Sequence, residues 1–175
     1  MSASLPDSVL ISYRGKTNIF IETGTSEGDS VETARLCGFS KIFSIESDIE
    51  TFNIAFNRFK NFPNISIFNG KSIDILPDLL KEIHEPVLFW LDAHSDCESE
   101  MTPIFQELDI IETFEFASTV LMDDIRLIGC GMWKFSLPDL LEKIYKINPK
   151  FEIIFQGNAH NPYDILIAAD KNLYD

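Results

Sequence analysis

The stretch Asn18-Ile19-Phe20-Ile21-Glu22-Thr23-Gly24-Thr25-Ser26-Glu27-Gly28-Asp29-Ser30 joins a short apolar run to a turn that contains two glycines. The apolar run, Asn18 to Thr23, is almost continuously hydrophobic, which is typical of a strand buried on both faces of a sheet. Gly24 can adopt the positive φ angle that a turn from a strand into a helix requires. The next segment, Asp29 to Cys37, has the spacing of a helix. The stretch therefore predicts a strand, a tight turn and a helix in succession.

The same alternation of strand and helix continues along the chain. Further strand-like runs lie at Lys41–Glu46, Asn64–Asn69, Val87–Asp92 and Ser118–Asp123. Segments with helical spacing lie between them, at Asp48–Phe59, Ile73–Ile83 and Pro103–Phe114. Strands that alternate with helices in this way favour a doubly wound, Rossmann-like α/β fold with five parallel strands.

The C-terminal part of the chain departs from this pattern. After a helical segment at Leu137–Ile147, two strand-like runs at Phe151–Phe155 and Asp164–Ala169 are joined by the turn-rich Gly157–Pro162. Such a short connection cannot make a parallel crossover, so the two strands should form an antiparallel hairpin. We therefore predict a sheet of about seven strands, mostly parallel, with an antiparallel pair at its end.

The composition limits the class of protein. A chain of 175 residues, 45% of them hydrophobic, is long enough for one domain, which we take to span residues 1–175. We find no apolar run long enough to span a bilayer and no signal peptide, so we expect a cytoplasmic protein without membrane insertion. The three cysteines are widely separated and are expected to be free thiols. The net charge of −14 disfavours nucleic acid as a partner.

Residues that follow the predicted strands are the first candidates for a ligand site, because open α/β sheets bind ligands beyond the carboxyl ends of their strands. Glu46 ends the second strand about 20 positions after Gly24, where Rossmann-type sites place the acidic residue that binds ribose hydroxyls. Gly28 would let a ligand approach the helix N-terminus closely. Ser72, after the third strand, could flank an adenine or cap the next helix. The candidates are Glu22, Thr23, Gly24, Thr25, Gly28, Ser30, Glu46, Gly70, Lys71, Ser72 and Asp92.

The spacing of the glycines bears on which nucleotide binds. Gly24 and Gly28 are spaced G-x-x-x-G, whereas a dinucleotide with its pyrophosphate favours the tighter G-x-G-x-x-G. S-adenosylmethionine (SAM) has no phosphate and tolerates the looser turn. The glycine spacing and the terminal hairpin together favour SAM over a nicotinamide dinucleotide.

Three acidic residues follow the fourth and fifth strands. Asp92, Asp123 and Asp124 should lie close together at one edge of the sheet, where their repulsion favours either a protonated carboxyl or a bound cation. Carboxylate ligands suit a hard divalent metal such as Mg²⁺ or Mn²⁺. His94, two positions after Asp92, can act as a general base, and the alternatives are a structural residue or a further ligand. The alternative is that the three acidic residues are merely solvated.

The loops beyond the strands supply candidates for binding a second substrate, called the acceptor below. Arg126 could hydrogen-bond a hydroxyl or carboxylate of the acceptor, and Trp133 could stack on a sugar ring or simply pack against neighbouring residues. His84 is expected on the surface, Trp90 is expected in the core, and His160 is undecided.

Four of these segments together resemble a known family. They are Ile21-Glu22-Thr23-Gly24-Thr25, Ser44-Ile45-Glu46, Leu91-Asp92-Ala93-His94 and Met122-Asp123-Asp124. The chain is similar to class I SAM-dependent methyltransferases, particularly the metal-dependent group that modifies sugars on glycans and macrolide-type natural products. The resemblance implies that Asp92, Asp123 and Asp124 bind the metal and that His94 is the base. Lys71 departs from the family, which often has an acidic residue at that position.

We thus expect an O-methyltransferase that acts on a sugar hydroxyl of a small molecule or glycan. One alternative is a metal-dependent nucleotide-sugar enzyme, either a glycosyltransferase or a hydrolase. Another is a non-catalytic SAM-binding module. The small size is compatible with a homodimer or with a domain of a larger glycan-synthesis polypeptide, and the sequence does not choose between them.

Overall fold

The computed structural model describes residues 5–93, 102–129, 133–157 and 161–174. Its centre is one sheet of seven strands in the order β3-β2-β1-β4-β5-β7-β6. Strands β1 to β5 are parallel, and β7 runs antiparallel to both β5 and β6. The strands are β1 Ile19–Thr23, β2 Lys41–Glu46, β3 Ile65–Asn69, β4 Val87–Leu91, β5 Ser118–Met122, β6 Glu152–Gln156 and β7 Ile165–Ala169.

The helices cover both faces of this sheet. They are α1 Asp7–Tyr13, α2 Asp29–Leu36, α3 Ile49–Phe59, α4 Ser72–Lys81, α5 Ile104–Glu112, α6 Arg126–Gly129 and α7 Leu137–Ile147, followed by a 3-10 turn at Lys171–Leu173. No helix within the described ranges is long and apolar enough to cross a membrane.

Each face of the sheet builds its own hydrophobic core, because alternate side chains of a strand point to opposite faces. Ile21 and Phe89 belong to the core beneath α4, α5 and α7. Phe20 and Trp90 belong to the core beneath α1, α2 and α3. Strands β1, β4, β5 and β7 are buried along their whole length. Burial of each large apolar side chain in these strands contributes about 1.5–3 kcal/mol to folding.

The predicted α/β fold and its terminal antiparallel hairpin are confirmed. Several element ends differ from the prediction by one or two residues. Strands β4 and β5 end at Leu91 and Met122, so Asp92 and Asp123 lie just beyond them. Asp48 caps α3 by accepting a hydrogen bond from the backbone N–H of Thr51.

Three features of the helices were not expected. Lys71, not Ser72, is the residue that precedes α4, and its side chain makes no capping hydrogen bond. Ser72 is the first residue of the helix. The interpretation of Ser72 as a helix cap was therefore wrong. Helix α1 was not predicted because its seven residues are too few to show a clear helical spacing of apolar residues. Helix α6, of four residues, is too short for a periodic signal.

Candidate cofactor and metal site

The loop between β1 and α2 depends on two glycines with positive φ. Gly24 has a φ of 84°, as predicted, and a Cβ atom there would lie 2.4 Å from the carbonyl oxygen of Asp92. Gly28 has a φ of 85°, but a Cβ atom there would lie 2.4 Å from the ring of Phe59. Gly24 is thus needed for the close approach of β1 and β4. Gly28 leaves room for Phe59 rather than for a ligand on that side, which the sequence did not indicate.

Glu22 lies at the end of β1 and is fully enclosed by the protein. Its side chain accepts a hydrogen bond from the Ser44 hydroxyl at 2.5 Å, and the hydroxyls of Ser44 and Thr25 are 2.6 Å apart. Burial raises the pKa of Glu22 well above its usual value, and the Ser44 hydrogen bond opposes this shift in part. Ser30, at the start of α2, is the next hydroxyl near the carboxyl group. The network ties the first residues of the loop to β1 and β2.

Glu46 lies at the end of β2, where the sequence placed a ribose-binding carboxylate. One carboxylate oxygen accepts the backbone N–H of Ser26 and the other accepts that of Asp48, both at 2.9 Å. An ionised carboxylate has about four acceptor positions, so these bonds leave lone pairs for two hydroxyl groups. The backbone of Glu46 also binds the side chain of Asn69 and the N–H of Gly70. The ends of β2 and β3 and the β1–α2 loop therefore meet at Glu46.

The ends of β1, β4 and β5 are held in line by backbone hydrogen bonds. The N–H of Asp92 donates to the carbonyl of Thr23 at 3.0 Å, and the N–H of Asp123 donates to that of Leu91 at 3.2 Å. Asp92 and Asp123 consequently lie next to each other at the carboxyl edge of the sheet, as the sequence predicted.

Asp123 and Asp124 are joined by a third carboxylate that the sequence analysis missed. Asp123, Asp124 and Asp164 are all buried, and one oxygen of each lies within 4.8 Å of the others. Asp164 directly precedes β7, and β7 runs antiparallel to β5. The N-terminal end of an antiparallel strand lies at the same edge as the carboxyl ends of its parallel neighbours. The predicted hairpin beginning at Asp164 was the signal that could have identified this residue.

The backbone of this cluster is strained at Asp124, and the pKa of Asp123 is raised. Asp124 has a φ of 59°, a conformation that costs a non-glycine residue of order 1–3 kcal/mol. Burial, and then the charge of Asp92, raises the pKa of Asp123 to about 7. The backbone N–H of Asp124 donates to the Asp123 carboxylate at 2.9 Å and opposes this shift.

Arg126 contacts this cluster directly. Its guanidinium forms ion pairs with Asp124 and Asp164. In this structure it therefore binds the acidic cluster, whereas the sequence analysis assigned it to the acceptor. If Asp123, Asp124, Asp164 and the neighbouring Asp92 are all ionised, Arg126 offsets one of the four negative charges, whereas a divalent cation would offset two. The donor set thus fits a hard divalent metal.

A small pocket lies beside the cluster. The space at this pocket is about 190 Å³ when the open solvent at its mouth is included, and the part enclosed by protein has room for about one water molecule. Its lining residues are Leu91, Asp92, Ala93, Thr102, Ile104, Glu107, Asp123 and Trp133. Trp133 is 8% exposed and stacks on Phe135, with ring centroids 5.4 Å apart, so most of its surface is used in packing.

Glu107 is the acidic residue of this pocket that the sequence analysis did not name as a candidate. It lies in the first turn of α5 and is 1% exposed. Burial raises its pKa to about 7, and the nearby hydroxyls of Ser72 and Thr23 oppose the shift. Its Oε1 atom has no hydrogen-bond partner among the described residues.

The remaining histidines and tryptophan complete the account of the candidate residues. The proposed base His94 and the undecided His160 both lie outside the described residues. Trp90 is fully buried and His84 is exposed, as expected.

Comparison with solved structures shows which known fold this chain has. No protein-family model matches the chain, and no curated protein matches its sequence. An O-methyltransferase from Bacillus cereus in complex with SAH, the demethylated form of SAM, matches with a TM-score of 0.64 and 15% identity, covering 97% of this chain and 84% of that one.

Two further structures give the same result. TomG from Streptomyces achromogenes, an O-methyltransferase involved in tomaymycin synthesis and solved with SAM, has a TM-score of 0.61 and 14% identity, covering 93% of this chain and 76% of that one. Human methyltransferase-like protein 13, solved with SAH, has a TM-score of 0.63 and 14% identity, covering 93% and 75%. The chain has the Rossmann-like fold of SAM-dependent methyltransferases.

Proposed function

We propose that this chain is a SAM-dependent O-methyltransferase that acts on a sugar hydroxyl with the help of a divalent metal. The position of Glu46 carries the proposal. Its carboxylate is fixed by the N–H groups of Ser26 and Asp48 at the end of β2, and it keeps lone pairs for the two hydroxyls of a ribose. The neighbouring structures solved with SAM or SAH support the same cofactor.

The residues of the chain divide between cofactor and acceptor. Glu46 would bind the ribose, and the turn at Gly70, Lys71 and Ser72 would lie along the adenine. Glu22 would act indirectly, through its hydrogen bonds to the loop that carries Thr25. SAM, when bound, supplies a methyl group on a positively charged sulfur, which makes the methyl group reactive toward an oxygen nucleophile.

The carboxylates at the ends of β4 and β5 would act on the acceptor. Asp123 and Asp124 would hold the metal together with Asp164, since an oxygen of each lies within 4.8 Å of the others. Asp92 is outside that group of three in this structure, and it would join the ligands from its place beside Asp123. A divalent ion there would acidify an acceptor hydroxyl and help to orient it. His94 would take the hydroxyl proton as the oxygen forms its bond to the methyl carbon and the carbon–sulfur bond breaks. Most of the rate enhancement would come from holding the two reactants in line.

Calorimetric titration with SAM and with SAH tests the cofactor site. We expect both to bind the wild-type protein and to bind Glu46→Gln at least tenfold more weakly, because the substitution removes a charge-assisted acceptor of ribose hydroxyls. Glu50→Gln is the matched control: it removes the same charge from an exposed position four residues away and should leave the affinity unchanged. If the wild-type protein binds neither SAM nor SAH, the methyltransferase proposal is wrong.

A second titration, with Mn²⁺ in place of SAM, tests the metal. Binding that disappears in Asp123→Asn would support the carboxylate site, and EDTA should then abolish methyl transfer to a sugar acceptor until Mn²⁺ is restored. Transfer that persists in EDTA would show that the reaction does not need a metal.

A further inference from the structure

Arg126 contacts two carboxylates of the acidic cluster through one and the same atom. Its Nη1 nitrogen contacts Oδ1 of Asp124, which follows β5, and Oδ2 of Asp164, which precedes β7. A metal ion that is shared by two carboxylates also lies between one oxygen of each. The Arg126 nitrogen therefore has the position that a cation bound to both of these oxygens would take.

The orientation of Asp164 is fixed by further hydrogen bonds. Oδ1 accepts the backbone N–H of Arg126 at 3.1 Å, and the backbone carbonyl of Asp164 accepts the N–H of Ile125, also at 3.1 Å. Oδ2, the oxygen that contacts the guanidinium, also accepts a hydrogen bond from the side chain of Asn161 at 3.3 Å. These bonds keep Asp164 turned toward Arg126. A metal that binds Oδ2 must consequently compete with the guanidinium for this oxygen.

Arg126 differs from its two partners in burial. The side chain of Arg126 is 46% exposed, whereas those of Asp124 and Asp164 are 9% and 0% exposed. The guanidinium thus lies on the solvent side of both carboxylates. It can move into water without unpacking the core, because water satisfies its N–H donors. Its departure would open the two carboxylates to an incoming ion.

We propose that Arg126 is a displaceable counter-ion of the metal site, so that the guanidinium and a divalent ion bind Asp124 and Asp164 alternately. This inference rests on the metal that the proposed function assigns to these carboxylates. A divalent ion brings two positive charges where the guanidinium brings one, so the exchange is favourable within the acidic cluster. Arg126 pairs the buried carboxylates until the ion arrives, and it lowers the metal affinity of the site because it must first be displaced.

Calorimetric titration with Mn²⁺ compares wild type with Arg126→Gln. We expect the variant to bind Mn²⁺ at least tenfold more tightly, because the ion no longer has to displace a bound guanidinium. Lys134→Gln is the matched control: it removes one positive charge from an exposed position of the same connection between β5 and α7. Its affinity for Mn²⁺ should stay within twofold of wild type.

A second measurement follows the guanidinium itself in the wild-type protein, so it does not depend on the folding of a variant. Nitrogen-15 NMR of the Arg126 side chain is recorded during a titration with Mg²⁺, which is diamagnetic. We expect the exchange of the Nη protons with water to become at least tenfold faster when Mg²⁺ saturates the site, because the two carboxylates no longer hold these protons. Unchanged exchange at saturation would mean that Arg126 stays bound beside the ion, which overturns the proposal.

Equal or weaker binding of Mn²⁺ to Arg126→Gln would also overturn it, since Arg126 would then support the metal ligands rather than compete for them. An equal gain in Lys134→Gln would overturn it too, because net charge alone would then explain the effect. Failure of the proposed metal has a different signature: neither wild type nor Arg126→Gln would bind Mn²⁺, and the metal site and the displacement would fall together. Binding of SAM in its own titration decides the cofactor part of the proposed function separately.

Discussion

Two buried glutamates lie near the end of strand β1, and their surroundings differ. Glu22 belongs to the strand itself, and Glu107 belongs to helix α5 on the other face of the sheet. Glu22 and Glu107 are both 1% exposed, and burial raises the pKa of both. Glu22 accepts a hydrogen bond from Ser44, whose hydroxyl is in turn bonded to Thr25. Glu107 lines a pocket, and its Oε1 atom has no hydrogen-bond partner among the described residues. Burial alone therefore does not determine how a carboxyl group is hydrogen-bonded, since two equally enclosed glutamates differ in the partners of their oxygens.

The largest effect expected from this comparison is on stability. Glu22→Ala should lower the free energy of unfolding by about 3 kcal/mol, because it opens a cavity in a packed region and leaves Ser44 without its acceptor. Glu107→Ala should change the free energy by less than about 1 kcal/mol, because the pocket is already open and an unpaired buried carboxyl is lost. Urea unfolding of the two variants beside wild type measures both values.

The comparison would fail if the two alanine variants were equally destabilised. Circular dichroism at low urea serves as the control that each variant starts from the folded state. A loss at Glu107 as large as that at Glu22 would mean that Glu107 contributes as much to the packing of α5 as Glu22 contributes to the β1–α2 loop.

The sequence predicted one of these two glutamates and missed the other, for a physical reason. Glu22 follows an apolar run and precedes Gly24, so its place at the end of a strand was visible in the pattern. Glu107 lies within a helix, where an acidic residue is normally exposed. Its spacing was nevertheless informative: Ile104, Leu108 and Ile111 form the buried stripe of α5, and Glu107 lies on that stripe. An acidic residue at a core position of an amphipathic helix was the signal.

The acidic cluster shows the same limit. Asp123 and Asp124 were predicted from the end of β5, because parallel strands all finish at one edge. Asp164 was missed because it begins a strand, and only the antiparallel direction of β7 brings a strand beginning to that edge. The ion pairs of Arg126 with Asp124 and Asp164 could not be predicted, since they depend on side-chain placement across two loops.

A second, smaller effect should appear in the pH dependence of stability. The pKa of Glu107 is about 7 in the folded protein and 4.5 as the ordinary value, so the folded state binds more protons between these pH values. Stability therefore falls as pH rises through this window, and the loss is complete only above about pH 7. Between pH 5 and pH 8 we expect wild type to lose about 2 kcal/mol more than Glu107→Gln, whose side chain does not titrate.

Urea unfolding at intervals across this range gives the measurement. Glu22 and Asp123 titrate in both proteins, so the difference between the two curves isolates Glu107. Parallel curves would show that partners of the Glu107 carboxyl in solution keep its pKa near the ordinary value despite its burial.

The smallest effect concerns the hydroxyls that accompany the two glutamates. Ser44→Ala should lower the free energy of unfolding by about 1 kcal/mol, because it removes the hydrogen bonds that join Glu22 to Thr25. Thr23→Val is the matched change on the other side of β1. It removes a buried hydroxyl whose oxygen has no partner among the described residues and keeps the shape of the side chain, so stability should stay the same or rise slightly. Thermal unfolding of both variants at one pH separates the cases, because a destabilised Thr23→Val would mean that the Thr23 hydroxyl donates a hydrogen bond to the Glu107 carboxyl, in agreement with its lowering of the pKa of Glu107.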